Sequence, residues 1–334
     1  MRAMLLRQTA DAGRNPLVLE DVPVPDPGPG EVRVRVRVCG VCRTDLHIVE
    51  GDLPPAKQPV VPGHEVVGIV DRVGAGVRTI KEGDRVGIAW LRSTCGDCEF
   101  CRDRQENLCL QAQFTGYHVD GGYAEYAVAP AAFVYPIPAA FTDEDVAPLL
   151  CAGIIGYRAL RLSGVKPGQR LGLYGFGASA HIAIQVARHW DCEVFVSSLR
   201  EEHRALAREL GAAWVGGAAE SPPEKLHGAI LFAPAGELVP PALRALRRGG
   251  TLAIAGIHLS SIPTIDYDHD LFGERTIRSV TANTKQDGLD LLRESAAIPI
   301  HTRTQRFRLE DANAALQALK AGTIRGAGVL TVAS

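Results

Sequence analysis

The sequence predicts an α/β protein of two domains. A β-rich part spans residues 1–150 and is completed by about 285–334; a doubly wound parallel sheet spans 151–284. Three observations carry that expectation. "EVRVRVRV" (31–38) alternates strictly, as a half-buried strand does. From about residue 151 apolar runs alternate with helical stretches, the pattern of a parallel sheet covered on both faces. A glycine turn, "GFGASA" (175–180), sits where a predicted strand meets a predicted helix. At 334 residues the chain exceeds one ordinary core, and 46% apolar residues are enough to fill two.

In the first part Val32, Val34, Val36 and Val38 share one strand face and Arg33, Arg35 and Arg37 the other. The proline-rich "DVPVPDPGPG" before it (21–30) reads as an irregular connection. "VVGIVDRVGAGV" and "KEGDRVGIAW" are further short strands broken by Gly-Asp turns. The second part runs "QRLGLYG" as strand into "ASAHIAIQVARHW" as amphipathic helix, then "EVFVSS" as strand and "REEHRALARELG" as a helix stopped by Gly211. "HGAILFAP" follows as strand, "GELVPPALRALRRGG" as a helix ending in glycines, and "TLAIAGI" as strand. At the tail "EDANAALQALKAG" is a helix and "AGVLTVAS" a closing strand.

Composition excludes several classes. A net charge of −2 with no basic run argues against nucleic acid as a partner. The N-terminal "MRAMLLRQTADAG" reads as neither signal peptide nor anchor, and no apolar run reaches the roughly 18 residues expected of a membrane span. The expectation is a soluble cytoplasmic protein. Arginine outnumbers lysine 30 to 6, a bias that a thermophilic source or a GC-rich genome gives equally. Eight cysteines in such a compartment point to metal or catalysis, not to four disulfides.

"GFGASA" supplies Gly175 and Gly177 at the first two fingerprint positions for dinucleotide binding and Ala180 at the third. The helix starting near Ala178 offers free N–H groups to a pyrophosphate. At the end of the next strand "VSSLR" carries Ser198 and Arg200 and no carboxylate before Glu201, which favours NADP(H) and leaves NAD(H) open.

Cys95, Cys98, Cys101 and Cys109 follow a C-x2-C-x2-C-x7-C spacing, enough to close a tetrahedral structural zinc site. An iron–sulfur cluster is the rival, and the missing Cys-Pro and second cluster count against it. Cys42 and His64 come from neighbouring loops, and Cys151 from the junction with the nucleotide-binding part. Together they are a Cys2His set that leaves one zinc position open. Taken singly, either cysteine would read as a small buried hydrophobe, as Cys39 and Cys192 do.

"CGVCRTDLH", "PGHEVVG", the four-cysteine lobe, "CAGIIGYRAL" and "GFGASA" resemble, in order and separation, the zinc-dependent medium-chain alcohol dehydrogenases over nearly the whole chain. The resemblance implies a GroES-like catalytic domain plus a Rossmann domain, two zincs and a nicotinamide cofactor. It implies catalytic zinc on Cys42, His64 and Cys151, with Glu65 as a transient ligand, and structural zinc on the four-cysteine lobe. It further implies that Thr44 hydrogen-bonds the substrate oxygen, His47 passes its proton outward, Asp45 supports the zinc shell and Arg43 contacts the pyrophosphate. Ile155 and Ala327 stand where many relatives carry cofactor-binding residues, with Arg325 nearby. Trp90 and Leu53 match pocket positions; the smaller Leu53 wall suits medium-chain or aromatic alcohols and aldehydes. Relatives form dimers or tetramers, so a homo-oligomer is expected. A polyol, formaldehyde or cinnamyl-type dehydrogenase, or a nucleotide-binding protein without catalysis, are the competing readings.

Overall fold

The computed structural model describes every residue except Ala219, Pro299, Ala333 and Ser334. The chain divides into two compact units: Met1–Cys151 with Ala282–Ala296 and His301–Ser334, and Ala152–Thr281 with Ala297–Ile300.

The first unit is organised around the long strand Glu31–Val41. Val32, Val34 and Val36 are fully buried, the face that alternation assigns to the core. That strand pairs antiparallel with Val66–Val73, Tyr126–Pro130 and Ala327–Thr331. Beyond them the sheet extends to Thr304–Arg308 on one side and to Arg85–Ile88 and Val134–Pro136 on the other. Past Val38 the alternation stops, and Cys39, Gly40 and Val41 are all buried. The strand stays paired as far as Val41, which stands opposite Gly328, and then leads into the helix Arg43–Glu50, capped by Cys42. Register brings the two halves of the site together: Cys39 stands opposite Val66, and the Gly40 N–H donates to the Glu65 carbonyl at 3.0 Å. The four-cysteine lobe leaves the strand Leu91–Ser93 and returns through Gln113–Phe114, which pairs with it.

The second unit is a six-stranded, all-parallel sheet. Its strands lie in the order Trp214–Gly216, Glu193–Ser197, Arg170–Tyr174, Leu226–Leu231, Leu246–Ile254, Thr276–Ser279. Counted along the unit this is 3-2-1-4-5-6, the doubly wound order whose switch point lies beside the first strand. One expectation is corrected. The helix predicted to run into Gly249 and Gly250 closes at Ala245, and Leu246 already pairs with Leu226. Long-range pairing of a fully buried Leu246 overrides the helical propensity of "LRR". The closing strand is described over Ala327–Thr331, while the last two residues of "AGVLTVAS" lie outside the described residues.

Candidate metal centres and dinucleotide turn

Cys42 reaches its place through a reciprocal cap. Its Sγ accepts from the Thr44 N–H at 3.5 Å, and its own N–H donates to Asp45 Oδ2 at 2.9 Å. Asp45, fully buried, also accepts from His64 Nδ1 at 2.9 Å, from the Gly63 N–H at 3.2 Å and from the Tyr123 hydroxyl at 3.1 Å. These contacts fix the His64 ring with Nδ1–H on the carboxylate and Nε2 turned towards Cys151 Sγ, 3.3 Å away. Cys42 Sγ lies 3.6 Å from Cys151 Sγ, and the donor atoms of Cys42, His64, Glu65 and Cys151 all fall within 4.8 Å of one another.

Gly40 is what makes room for Glu65. A Cβ at that position would stand 1.8 Å from the Glu65 carboxylate oxygen. Burial pushes the Glu65 carboxyl well above its ordinary range, and the Cys42 thiolate adds to the effect. The hydrogen bond from Cys151 holds the Cys42 thiol well below its ordinary pKa, and Cys151 is raised in turn by that bond and by burial. Two half-buried thiols, a buried carboxyl and a buried imidazole thus crowd one space, where the thiolates and the carboxylate need a cation. The donor set suits zinc.

The second cluster is built differently. Cys95, Cys98, Cys101 and Cys109 all have free thiols, with Sγ–Sγ distances of 3.5, 3.5 and 3.8 Å along the chain of contacts. Four sulfurs about 2.3 Å from a tetrahedral zinc stand about 3.8 Å apart, so the spacing fits that ion. Backbone N–H groups of Cys98 and Gln111 point at Cys95 and Cys109 sulfurs at 3.4 Å and help hold thiolate charge.

The remaining predicted residues divide. Thr44 is buried with its hydroxyl 3.7 Å from Cys42 Sγ. His47 stands apart, its Nδ1 2.8 Å from Asp52 Oδ2, and among the described residues no hydrogen bond joins it to Thr44. Arg43 is exposed at the first turn of its helix. Trp90 lies edge-on to His64, with ring centroids 4.9 Å apart, and Leu53 packs against the core of the same unit. Sequence reasoning missed Tyr123 and Asp52, and also the rings of Phe114, Tyr117 and His118 beside Trp90. The aromatic spacing in "FTGYH" was the available signal for the last group.

At the dinucleotide turn Gly175 adopts φ +88°, and a Cβ there would meet the Ala233 nitrogen at 2.8 Å. Gly177 caps the helix Ala178–His189 with open space before it, and Ala180 is fully buried. Ser198 is buried with its hydroxyl 3.4 Å from His203 Nδ1. Arg200 is 53% exposed and 3.6 Å from Glu202. Glu201 is committed to Arg204 and Arg208.

Residues 28–139 match the family model of the alcohol dehydrogenase GroES-like domain, and residues 180–297 that of the zinc-binding dehydrogenases. The chain is 54% identical over 299 residues to "Probable alcohol dehydrogenase AdhA" of Mycobacterium tuberculosis, covering 88% of this chain and 86% of that one. Among solved structures it resembles CAD from Helicobacter pylori complexed with NADP(H), at TM-score 0.87 and 25% identity over 99% of both chains. It resembles equally the acetophenone reductase of Geotrichum candidum in complex with NAD, at TM-score 0.86 and 26% identity over 99% of this chain and 96% of that one. A GroES-like unit, a dinucleotide-binding sheet and two cysteine-rich donor clusters define a zinc-binding dehydrogenase. The chain belongs to the zinc-dependent medium-chain alcohol dehydrogenase family, and zinc and NAD(P) are its cofactors.

Proposed function

We propose that the protein interconverts alcohols and aldehydes or ketones, with Cys42, His64 and Cys151 as the catalytic zinc ligands and Glu65 as an alternative one. The observation that carries this reading is the half-buried Cys2His cluster with a carboxyl in reach and a threonine hydroxyl beside it. The bound cofactors supply Lewis-acid polarisation of the substrate oxygen and a nicotinamide that takes or returns hydride. The chain's own work is positional and protonic. Asp45 holds His64 in the tautomer that leaves Nε2 free for metal. In oxidation Thr44 Oγ1 takes the hydrogen bond of the alcohol O–H, and the proton leaves outward through His47, whose ring is 22% exposed. Oxidation of an alcohol releases one proton and one hydride, and it is the proton that the chain's own side chains would handle. Cys95, Cys98, Cys101 and Cys109 hold the structural ion.

Gly175, Gly177 and Ala180 form the pyrophosphate turn. NADP(H) is the preferred cofactor in this reading. No carboxylate stands at Ser198, and Glu201 is neutralised by two arginines, which leaves the half-exposed Arg200 to meet a 2′-phosphate. Trp90 and Leu53 line the pocket, and a leucine wall suits medium-chain or aromatic alcohols. A homo-oligomer, dimer or tetramer, fits the open edge of the Thr276–Ser279 strand, and a reducing cytoplasm suits eight free cysteines. Among the described residues no helix is long and apolar enough to cross a membrane. The test is the initial rate with NADP⁺ against NAD⁺ on ethanol, 1-hexanol and benzyl alcohol. Faster turnover of the larger alcohols with NADP⁺ is expected; a clear NAD⁺ preference would remove Arg200 from the cofactor site.

A further inference from the structure

Tyr117 touches two features that the sequence leaves unconnected. Its ring lies nearly parallel to Trp90, with centroids 6.0 Å apart and planes at 28°, and its hydroxyl donates to the Pro54 carbonyl at 2.7 Å. Trp90 is held from other sides by Phe114, stacked at 4.8 Å, and by His64, edge-on at 4.9 Å. His118 sets Tyr117 in turn: its ring meets the Tyr117 ring edge-on at 4.6 Å while Nδ1 accepts from the Phe114 N–H at 3.2 Å. The segment that Tyr117 grips is the one carrying Leu53. Its near end is tied to the helix bearing His47, through Asp52 to the His47 ring and through the Leu53 N–H to the His47 carbonyl at 3.2 Å. Its far end is Pro54-Pro55, which has no N–H to donate and no regular structure. A carbonyl bond is therefore the anchor open to it.

We propose that Tyr117 is a positioning residue that fixes the Leu53–Pro54 segment relative to Trp90 and so selects substrate size. The proposal rests on the alcohol-oxidising reading above. The ring alone would pack against Trp90; the hydroxyl is what transmits that position to Pro54.

The test compares the zinc-loaded wild type with Tyr117→Phe, which loses one O–H, and Tyr117→Leu, which loses the ring as well. Two readouts are taken: kcat/KM for benzyl alcohol divided by that for ethanol, and amide hydrogen exchange along the chain. In Tyr117→Phe the ratio is expected to rise about five-fold, the scale of one lost hydrogen bond, through a higher KM for ethanol with kcat on benzyl alcohol held. The amides of Asp52, Leu53, Ala56 and Lys57 should exchange faster, while residues 95–109 stay as in wild type. Tyr117→Leu should move both readouts further. An unchanged ratio overturns the proposal whatever the exchange shows, as does an equal loss on both alcohols. A shifted ratio without faster exchange overturns the brace itself. A zinc-loaded wild type that oxidises no alcohol overturns the functional reading and the selectivity role with it; exchange at residues 52–57 still shows whether the brace exists.

Discussion

Asp45 accepts four hydrogen bonds beside the Cys42, His64 and Cys151 cluster, from the Cys42 and Gly63 N–H groups, from His64 and from Tyr123. Asp45→Asn puts an NH2 where an acceptor is needed and leaves buried donors opposed. The catalytic zinc is expected to bind about 10- to 100-fold more weakly while the cysteine lobe keeps its ion. Metal analysis after dialysis against a mild chelator should then give one zinc per chain against two for wild type. Gly40→Ala is predicted to act on Glu65, because the added methyl overlaps its carboxylate. A lower Tm with both zincs retained would separate crowding of Glu65 from loss of a ligand. At this scale the clustering of Cys42, His64, Glu65 and Cys151 was legible, as was Asp45 through the family resemblance, but Tyr123 was not. Cys42, His64 and Cys151 are readable as a set, not singly. Tyr123 reaches Asp45 across 78 residues of sequence, and no local pattern encodes that contact.

The elements explain why widely spaced residues converge. Cys42 caps a helix, and His64 precedes a strand whose first residue pairs with Cys39. One antiparallel register therefore places both ligands, and the alternation of "EVRVRVRV" made that strand readable. The turn before the Ala178–His189 helix was readable for a related reason, since "GFGASA" needs a strand before it and a helix after it. Gly175→Ala forces a side chain into a positive-φ position against the Ala233 backbone, a strain of order 1–3 kcal/mol. Titration by nicotinamide fluorescence should show weaker NADPH binding with zinc content unchanged. The helix Val239–Ala245 was overextended in the sequence reading because "LRRGG" has no local mark of strand. Its register against Leu226 is a tertiary property. The lobe is the reverse case: it has little regular structure, and the cysteine spacing alone declares it. Cys98→Ser should cost that lobe its ion and expose the bonds around Leu110, already 94% exposed, to proteolysis.

The whole molecule carries many ion pairs between arginine or lysine and carboxylates, consistent with its arginine-rich composition. Glu20 beside Arg7, Asp11 beside Lys320, Glu201 beside Arg208 and Arg204, and Asp311 beside Arg308 all have pKa values held below the ordinary carboxylate range by those hydrogen bonds. A carboxyl depressed in the folded state gives stability that is present above its unfolded value, about 4, and is lost as pH falls through the folded value. Tm should therefore drop on the acid side below about pH 4, and the pairs' share of that drop should shrink in high salt, because they are exposed and screened. The molecule's division of labour rests on the two metal centres being separable. Zinc content and benzyl alcohol oxidation, measured together on wild type and Cys42→Ser, test that most directly. Two zincs and turnover are expected for wild type, and one zinc, no turnover and retained NADPH binding for the variant. Two zincs in both proteins with equal activity, or a fully zinc-loaded wild type as inert as the variant, would contradict it.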